Sequence, residues 1–383
     1  MEGSWPDNFN LKTDLVKYVK QNLKRDEVLD YVQRDYPMYR WSLRTLDRRL
    51  RFFDIYYHDF SQNVEEVENI IREELTGPGR LLGYRAMHLK LRQKYDVKIP
   101  RDHVYEIMHK INPELLEERR PCFKKKRKKT HFVTKGPDWV FSLDGHDKLM
   151  GYQNSTFPLA IYGCMDTASR KMMFLKVWVT NSKPEVVGRW YTEFLLDNQI
   201  VPDYLRMDKG SETTIMAQIH CHLRAGHGDL EDVVESVIFG PSTSNQIERW
   251  WRELHDRLEK FFKVGLCWLK EENHYDPHCD EDRDMLAFIM IPIIQRHLDE
   301  FKDLIWNSHR IRHQKNTYMA DGVPNHMYDF PRRYSMEQCG KPLDVDKLDQ
   351  AVQITDVMNY GNDFLSPDQR NNYEQIKQVI YTL

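Results

Sequence analysis

Between residues 138 and 180 three apolar, β-rich segments follow one another: DWVFSLDG (138–145), PLAIYGCMD (158–166) and KMMFLKVWVT (171–180). Consecutive strands joined by short loops pair with their neighbours, which commits this stretch to a sheet. Beyond residue 180 helical and strand patterns alternate. PEVVGRWYTEFLLDNQI has helical spacing, with Pro184 early, where a missing N–H costs little. YLRMD (204–208) and SVIFG (236–240) read as two further strands with a helical region between them, and Asn245–Lys263 reads as a long helix. The pattern predicts a mixed α/β unit, a five-stranded sheet with flanking helices.

The residues before it read as all-α. In 1–60, helices are expected at Leu11–Gln21 and Asp26–Arg34. Ser42 stands as the N-cap of a third, LRTLDRRLRFF. Leu43, Leu46, Leu50 and Phe53 form its apolar stripe, while Arg44, Arg48, Arg49 and Arg51 lie elsewhere around it, a distribution suited to a helix that rests on phosphates. Residues 61–120 repeat the theme, with a helix stopped at Gly77–Pro78, a basic helix, and a third opened by Arg101. The expectation is two consecutive helix-turn-helix-like units. A linker at 121–130 carries Lys124, Lys125, Lys126, Arg127, Lys128 and Lys129, the composition of a phosphate clamp or a nuclear localisation signal. Residues 283–318 read as a helical extension of the core, kinked at Pro292, so the core and its extension span 131–335. A polar tail with a terminal helix occupies 336–383.

The net charge of −3 on 383 residues conceals a division. Residues 1–130 hold 28 Lys and Arg against 21 Asp and Glu; residues 131–383 hold 28 against 38. A basic half joined to an acidic half points to a nucleic-acid partner for the first. No run of about 18 apolar residues exists, so no membrane span is expected, and MEGSWPDNFN lacks the features of a secretory signal. Six cysteines without a CxxC pair suit a reducing compartment. The clusters His220, Cys221, His222, His227 and His274, His278, Cys279 lack the ligand spacing of a structural zinc site and read as loop residues and buried thiols.

Three acids stand out by position: Asp144 closes the first strand, Asp208 the fourth, and Glu248 lies in the first turns of the long helix. Strand ends at a common sheet edge are where α/β folds place sites. Three carboxylates there would bind a pair of hard divalent cations about 4 Å apart. Asp147, Asp166, Glu212 and His146 lie nearby, with Asp166 reading as a hairpin residue and Glu212 as a supporting group.

These residues carry a resemblance. LDGHDKL, the MDTASRKMMFLKV hairpin, RMDKGSE and NQIERWWRELHDRL are similar to the retroviral-integrase-like DDE recombinases. They most resemble the transposon-derived "integrase core domain" proteins, over about 131–335. The resemblance implies an RNase H-like catalytic core and a DNA-binding polynucleotidyl transferase that cleaves phosphodiesters and transfers strands. It implies Asp144, Asp208 and Glu248 as catalytic ligands of two Mg²⁺ or Mn²⁺ ions, with no small-molecule cofactor. It also implies Lys209, Asn245, Arg249 and Arg252 as DNA-proximal groups, a homo-oligomer of two or more copies, and a nuclear location. The alternative is a domesticated, catalytically silent DNA- or chromatin-binding copy. The chain departs from retroviral enzymes in three respects. Helix-turn-helix units stand in place of their zinc-binding N-terminal domain, 39 residues separate Asp208 from Glu248, and no small β-barrel follows the core.

Overall fold

The computed structural model describes residues 5–113, 134–151, 155–225, 227–240, 246–313, 319–360 and 363–382. They form two compact units. One takes the residues up to 113 with those of 303–334; the other takes 134–302 and 335–382. The sequence pattern assigns 303–334 to the extension of the core, yet its side chains pack among the N-terminal helices.

The first unit contains two three-helix sets. Helices α1 (Phe9–Lys20), α2 (Arg25–Asp35) and α3 (Leu43–Phe52) close on Leu11, Leu15, Val28, Val32, Leu46 and Leu50. Asn8 and Ser42 cap α1 and α3 by accepting from the N–H groups of Leu11 and Thr45. Helices α4 (Val64–Thr76), α5 (Tyr84–Lys94) and α6 (Arg101–Ile111) close on Val67, Ile71, Met87, Leu91, Val104 and Met108. Two basic residues of α5 are interior. Lys90 pairs with buried Glu74 at 2.6 Å, and Arg92, 1% exposed, donates to the carbonyls of Tyr57 and Val19 at 2.6 and 2.8 Å. Arg92 thereby ties the second helical set to the first.

The segment 303–334 adds Val323 to the first core and supplies the partners of α2. Arg310 makes a bidentate contact with Glu27 at 2.9 and 2.6 Å, Arg333 pairs with Asp26 and Asp30, and Tyr31 donates to Asp329 at 2.8 Å. Burial pushes the Glu27 carboxyl up. Hydrogen bonds from Arg310 and the Lys24 N–H, with the Arg310 charge, outweigh it and hold the group below the usual range.

In the second unit β1 (Val140–His146) pairs antiparallel with β2 (Ala160–Asp166), and β2 with β3 (Met172–Trp178). Then come α7 (Pro184–Asn198), the short β4 (Ile200–Val201), β5 (Tyr204–Met207), α8 (Thr214–Arg224) and β6 (Val237–Phe239). β5 lies parallel to β1 and β6 parallel to β5, giving the order β3-β2-β1-β5-β6. Helix α9 (Ile247–Leu254) runs through a π-helical stretch (His255–Glu259) into α10 (Lys260–Glu271), followed by α11 (Asp280–Glu300). β7 (Lys341–Pro342) pairs with β4, and α12 (Val345–Thr355) and α13 (Pro367–Thr382) complete the chain. This is the mixed five-stranded sheet that the strand pattern predicts, and it fits the RNase H-like core that the resemblance implies. The tail is less polar than its composition suggests, because α12 places Leu348 and Ala351 in the main core.

Strand alternation sorts the sheet into two faces. Phe141, Leu143, Tyr162, Cys164, Leu205 and Met207 join the core formed with α7, α8 and α12. Asp144, His146 and Gly163 have the opposite parity, the side on which Trp251 of α9 contacts β1 and β2.

Replacing Arg310 by Ala strands the Glu27 charge. Breaking a fully buried pair costs about 3–5 kcal/mol; with Arg310 a third exposed, about 2–3 kcal/mol is expected from denaturant unfolding of the full chain. Against the upward push of burial, its hydrogen bonds leave Glu27 with a folded pKa below its unfolded one, so its contribution is present at neutral pH and is lost as pH falls below the ordinary glutamate range. That acid-dependent loss should be absent in Arg310→Ala.

Candidate active site

Three elements deliver the acids. Asp144 lies on β1 opposite Gly163 of β2, Asp208 directly follows β5, and Glu248 is in the first turn of α9. Since Leu205 and Met207 point into the core, the next residue of like parity to Arg206 is Asp208, on the face of Asp144.

The charges of Glu248 and Asp208 both reach Asp144. Burial is the largest influence on Asp144; Glu248 and Asp208 add to it and a hydrogen bond from Trp251 opposes it, leaving the carboxyl pushed up to about 8. Burial also raises Asp208, whose Oδ1 is buried without a hydrogen-bond partner. Among the described residues no three His, Cys, Asp or Glu side chains are gathered as ligands around one point. What the three acids form is a half-buried patch of oxygen donors with an orphaned carboxylate oxygen and an acid that resists ionising. That chemistry fits hard divalent cations, which take carboxylate oxygens and would offset the crowded negative charge.

Behind Asp144 lies a further layer of side chains. Trp251 donates from Nε1 to Asp144 Oδ2 at 2.8 Å. His146 stacks on the Trp251 ring, centroids 4.6 Å apart and planes 12° apart, and its Nε2 bonds to Glu259 Oε2 at 2.9 Å. Glu259 also contacts His255 Nδ1 at 3.1 Å. His146 is thus a buried supporting group. Two signals mark this layer in the sequence: His146 shares the strand face of Asp144 at i+2, and Trp251 shares the helix face of Glu248 at i+3.

The other acids have structural partners. Asp166 is buried and accepts from the N–H groups of Asp138 and Ser169 and from the Ser169 hydroxyl, the hairpin part its position suggests; burial pushes it up to about 6. Asp147 accepts from Asn181 at 2.8 Å. Glu212 opens the short turn before α8, where its charge reaches Tyr162.

The basic candidates divide. Lys209, Arg249 and Arg252, next to the acids in sequence, are exposed. On α3, Arg44 and Arg48 are exposed, whereas Arg49 is half-buried with its guanidinium 3.5 Å from the Trp5 ring centre. Arg101 is exposed and pairs with Asp102 at 2.9 Å. Asn245 and the run Lys124, Lys125, Lys126, Arg127, Lys128, Lys129 lie outside the described residues. Among the described residues no helix is long and apolar enough to cross a membrane.

Residues 132–328, just over half of the chain, match the family model described as integrase core domain. A comparison with curated proteins finds no match.

The Asp144 shift sets a pH dependence. Its folded pKa lies above the unfolded one, so ionising it opposes folding, and stability is lost as pH rises from about 4 to about 8. Asp144→Asn removes that penalty. In metal-free buffer the variant should melt at least about 2 °C higher than the parent at pH 8.5, with the gap closing near pH 4. Calorimetric scans across this range check it; a gap that does not change with pH contradicts the assignment.

Proposed function

Because the chain belongs to the integrase core domain family, we propose that it is a DNA recombinase of the integrase and transposase type that cleaves phosphodiesters and transfers strands. The observation that supports this reading is Asp144, held against ionisation by burial and by the charges of Glu248, in the first turn of α9, and Asp208, just after β5. Asp166 is satisfied by three hydrogen bonds; Asp144 has one, from Trp251, and two acids whose charges bear on it.

In this reading Asp144, Asp208 and Glu248 hold two Mg²⁺ or Mn²⁺ ions. When bound, such ions lower the pKa of an attacking water or hydroxyl and neutralise the leaving oxygen. The protein provides no covalent nucleophile. Its task is to hold a DNA phosphate over the acids so that water, and later a freed 3′-hydroxyl, approaches in line. Lys209, Arg249 and Arg252, exposed beside the acids in sequence, are suited to holding the DNA backbone, with Asn245 as a further contact. Arg44, Arg48 and Arg101, together with the run at 124–129, are the proposed sequence-independent phosphate contacts; the run is also a proposed nuclear address. Arg49 is engaged with Trp5 and takes no part in this. Joining one DNA end to each of two target strands requires two active sites, so the working form is a dimer or larger assembly.

Two measurements test the reading. With Mn²⁺ or Mg²⁺, the full-length protein should nick and join DNA carrying the sequences that flank its gene, and Asp208→Asn should lower the rate by about 1,000-fold or more. Cleavage that survives Asp208→Asn removes the three-acid assignment; DNA binding without any cleavage leaves the silent DNA-binding reading. Affinity for DNA should fall with salt, and Arg48→Ala should flatten the log–log salt slope by about one unit while weakening all sequences alike.

A further inference from the structure

Asp144 is crowded by two acids, and its carboxylate is free to turn about a soft terminal torsion. A cation site needs that carboxylate in one orientation. We infer that Trp251, His146 and Glu259 form a positioning array that fixes the Asp144 carboxylate for divalent-cation binding. The inference rests on the reading of Asp144 as a metal ligand.

The array is built outward from one hydrogen bond. The indole N–H of Trp251 holds Asp144 Oδ2 at 2.8 Å. A neutral donor suits this place, because it orients an oxygen without bringing a cation that would compete with the metal. The indole itself cannot swing. Trp251 is 3% exposed, and His146 covers one of its faces in near-parallel stacking. On the strand side, a Cβ placed on Gly163 would come within 2.8 Å of Trp251 Cη2, so only glycine at this position leaves the ring its space. Gly163 is also the residue paired with Asp144 across the β1–β2 ladder. The absent side chain therefore lies where the indole passes toward the carboxylate.

The His146 ring is oriented in turn by Glu259, which is 1% exposed. The helix places Glu259 by an irregularity. It lies eight positions after Trp251, which in an unbroken α-helix would turn it about 80° away from the Trp251 face. The π-helical stretch at His255–Glu259 absorbs an additional residue and returns Glu259 to that face. His255, at i−4, bonds to the same carboxylate oxygen and holds it from the helix side. Strand parity completes the arrangement: Asp144 and His146 are two residues apart on β1, so one meets the indole edge and the other its face.

Three variants of the full-length protein and one spectrum test this. Mn²⁺ binding is measured by electron paramagnetic resonance of the free ion, without reference to activity. Trp251→Phe keeps a ring for His146 and removes the donor; it should weaken Mn²⁺ binding by about 10–100-fold. Trp250→Phe, an equally buried neighbour that packs on Phe301, should stay within about twofold of the parent. Asp144→Asn should lose the same binding altogether. In the unmodified protein, one of the nine indole ¹⁵N–¹H resonances should move on titration with Mg²⁺ and be missing from the Trp251→Phe spectrum. If Trp251→Phe does not fold, that titration decides alone, and indole signals indifferent to Mg²⁺ overturn the inference. Parent-like Mn²⁺ binding by Trp251→Phe, with binding lost in Asp144→Asn, overturns the array and leaves the metal reading standing. Parent-like binding by Asp144→Asn removes Asp144 as a ligand and the array with it.

Discussion

A carboxylate half-buried between two others is the constraint around which the second unit is arranged. At the effective dielectric of a protein surface, two like charges about 4 Å apart repel by about 4 kcal/mol, and burial adds to that. The sheet makes such a site tolerable by separating tasks between its faces. One face is packed with aromatic and aliphatic side chains against α7, α8 and α12, which holds β1 and β5 rigidly side by side. The other face is then free to carry Asp144 and the indole that meets it. Stability comes from one side of the sheet and is spent on the other.

The first unit meets a related difficulty by opposite means. Its buried acids are paired: Glu74 with Lys90, Glu27 with Arg310. Arg92 is held by two backbone carbonyls, that of Val19 near the end of α1 and that of Tyr57 in the loop after α3. Counting charge along the chain therefore overstates the basic surface of this half. Residues 80–130 hold 16 Lys and Arg against 6 Asp and Glu, but Lys90 and Arg92 belong to the interior.

Much of the architecture is legible in the sequence because alternation and helical spacing report burial directly. The five main strands, the helix opened by Pro184 and the cap at Ser42 follow from that. What stays hidden depends on contacts across long sequence separations. β4 and β7 are two residues each, too short for any period, and exist because residues 200–201 and 341–342 meet. Helix α12 has only Leu348 and Ala351 fully buried, so its stripe is faint amid polar residues. The join of 303–334 to the N-terminal helices rests on Val323, Arg310 and Arg333, none of which carries a local mark of its partner. At the site, Asp144 lies two residues inside the end of β1, while Asp208 and Glu248 are visible as strand-end and helix-start residues. The π-helical stretch that aims Glu259 is not, since it breaks the very period by which helices are read.

The discontinuous first unit has a consequence in the order of synthesis. Glu27 and Arg310 are 283 residues apart. At about 5–20 residues per second, a ribosome reaches Arg310 roughly 15 to 60 s after it has made Glu27. Through that interval the N-terminal helices exist without the arginine that neutralises their buried acid and without Val323 in their core. The 134–302 part of the sheet unit is translated in the same interval, including every strand of the five-stranded sheet. The N-terminal part is therefore the first to be made and among the last to be finished, and its completion waits on a chain that has already passed through the sheet.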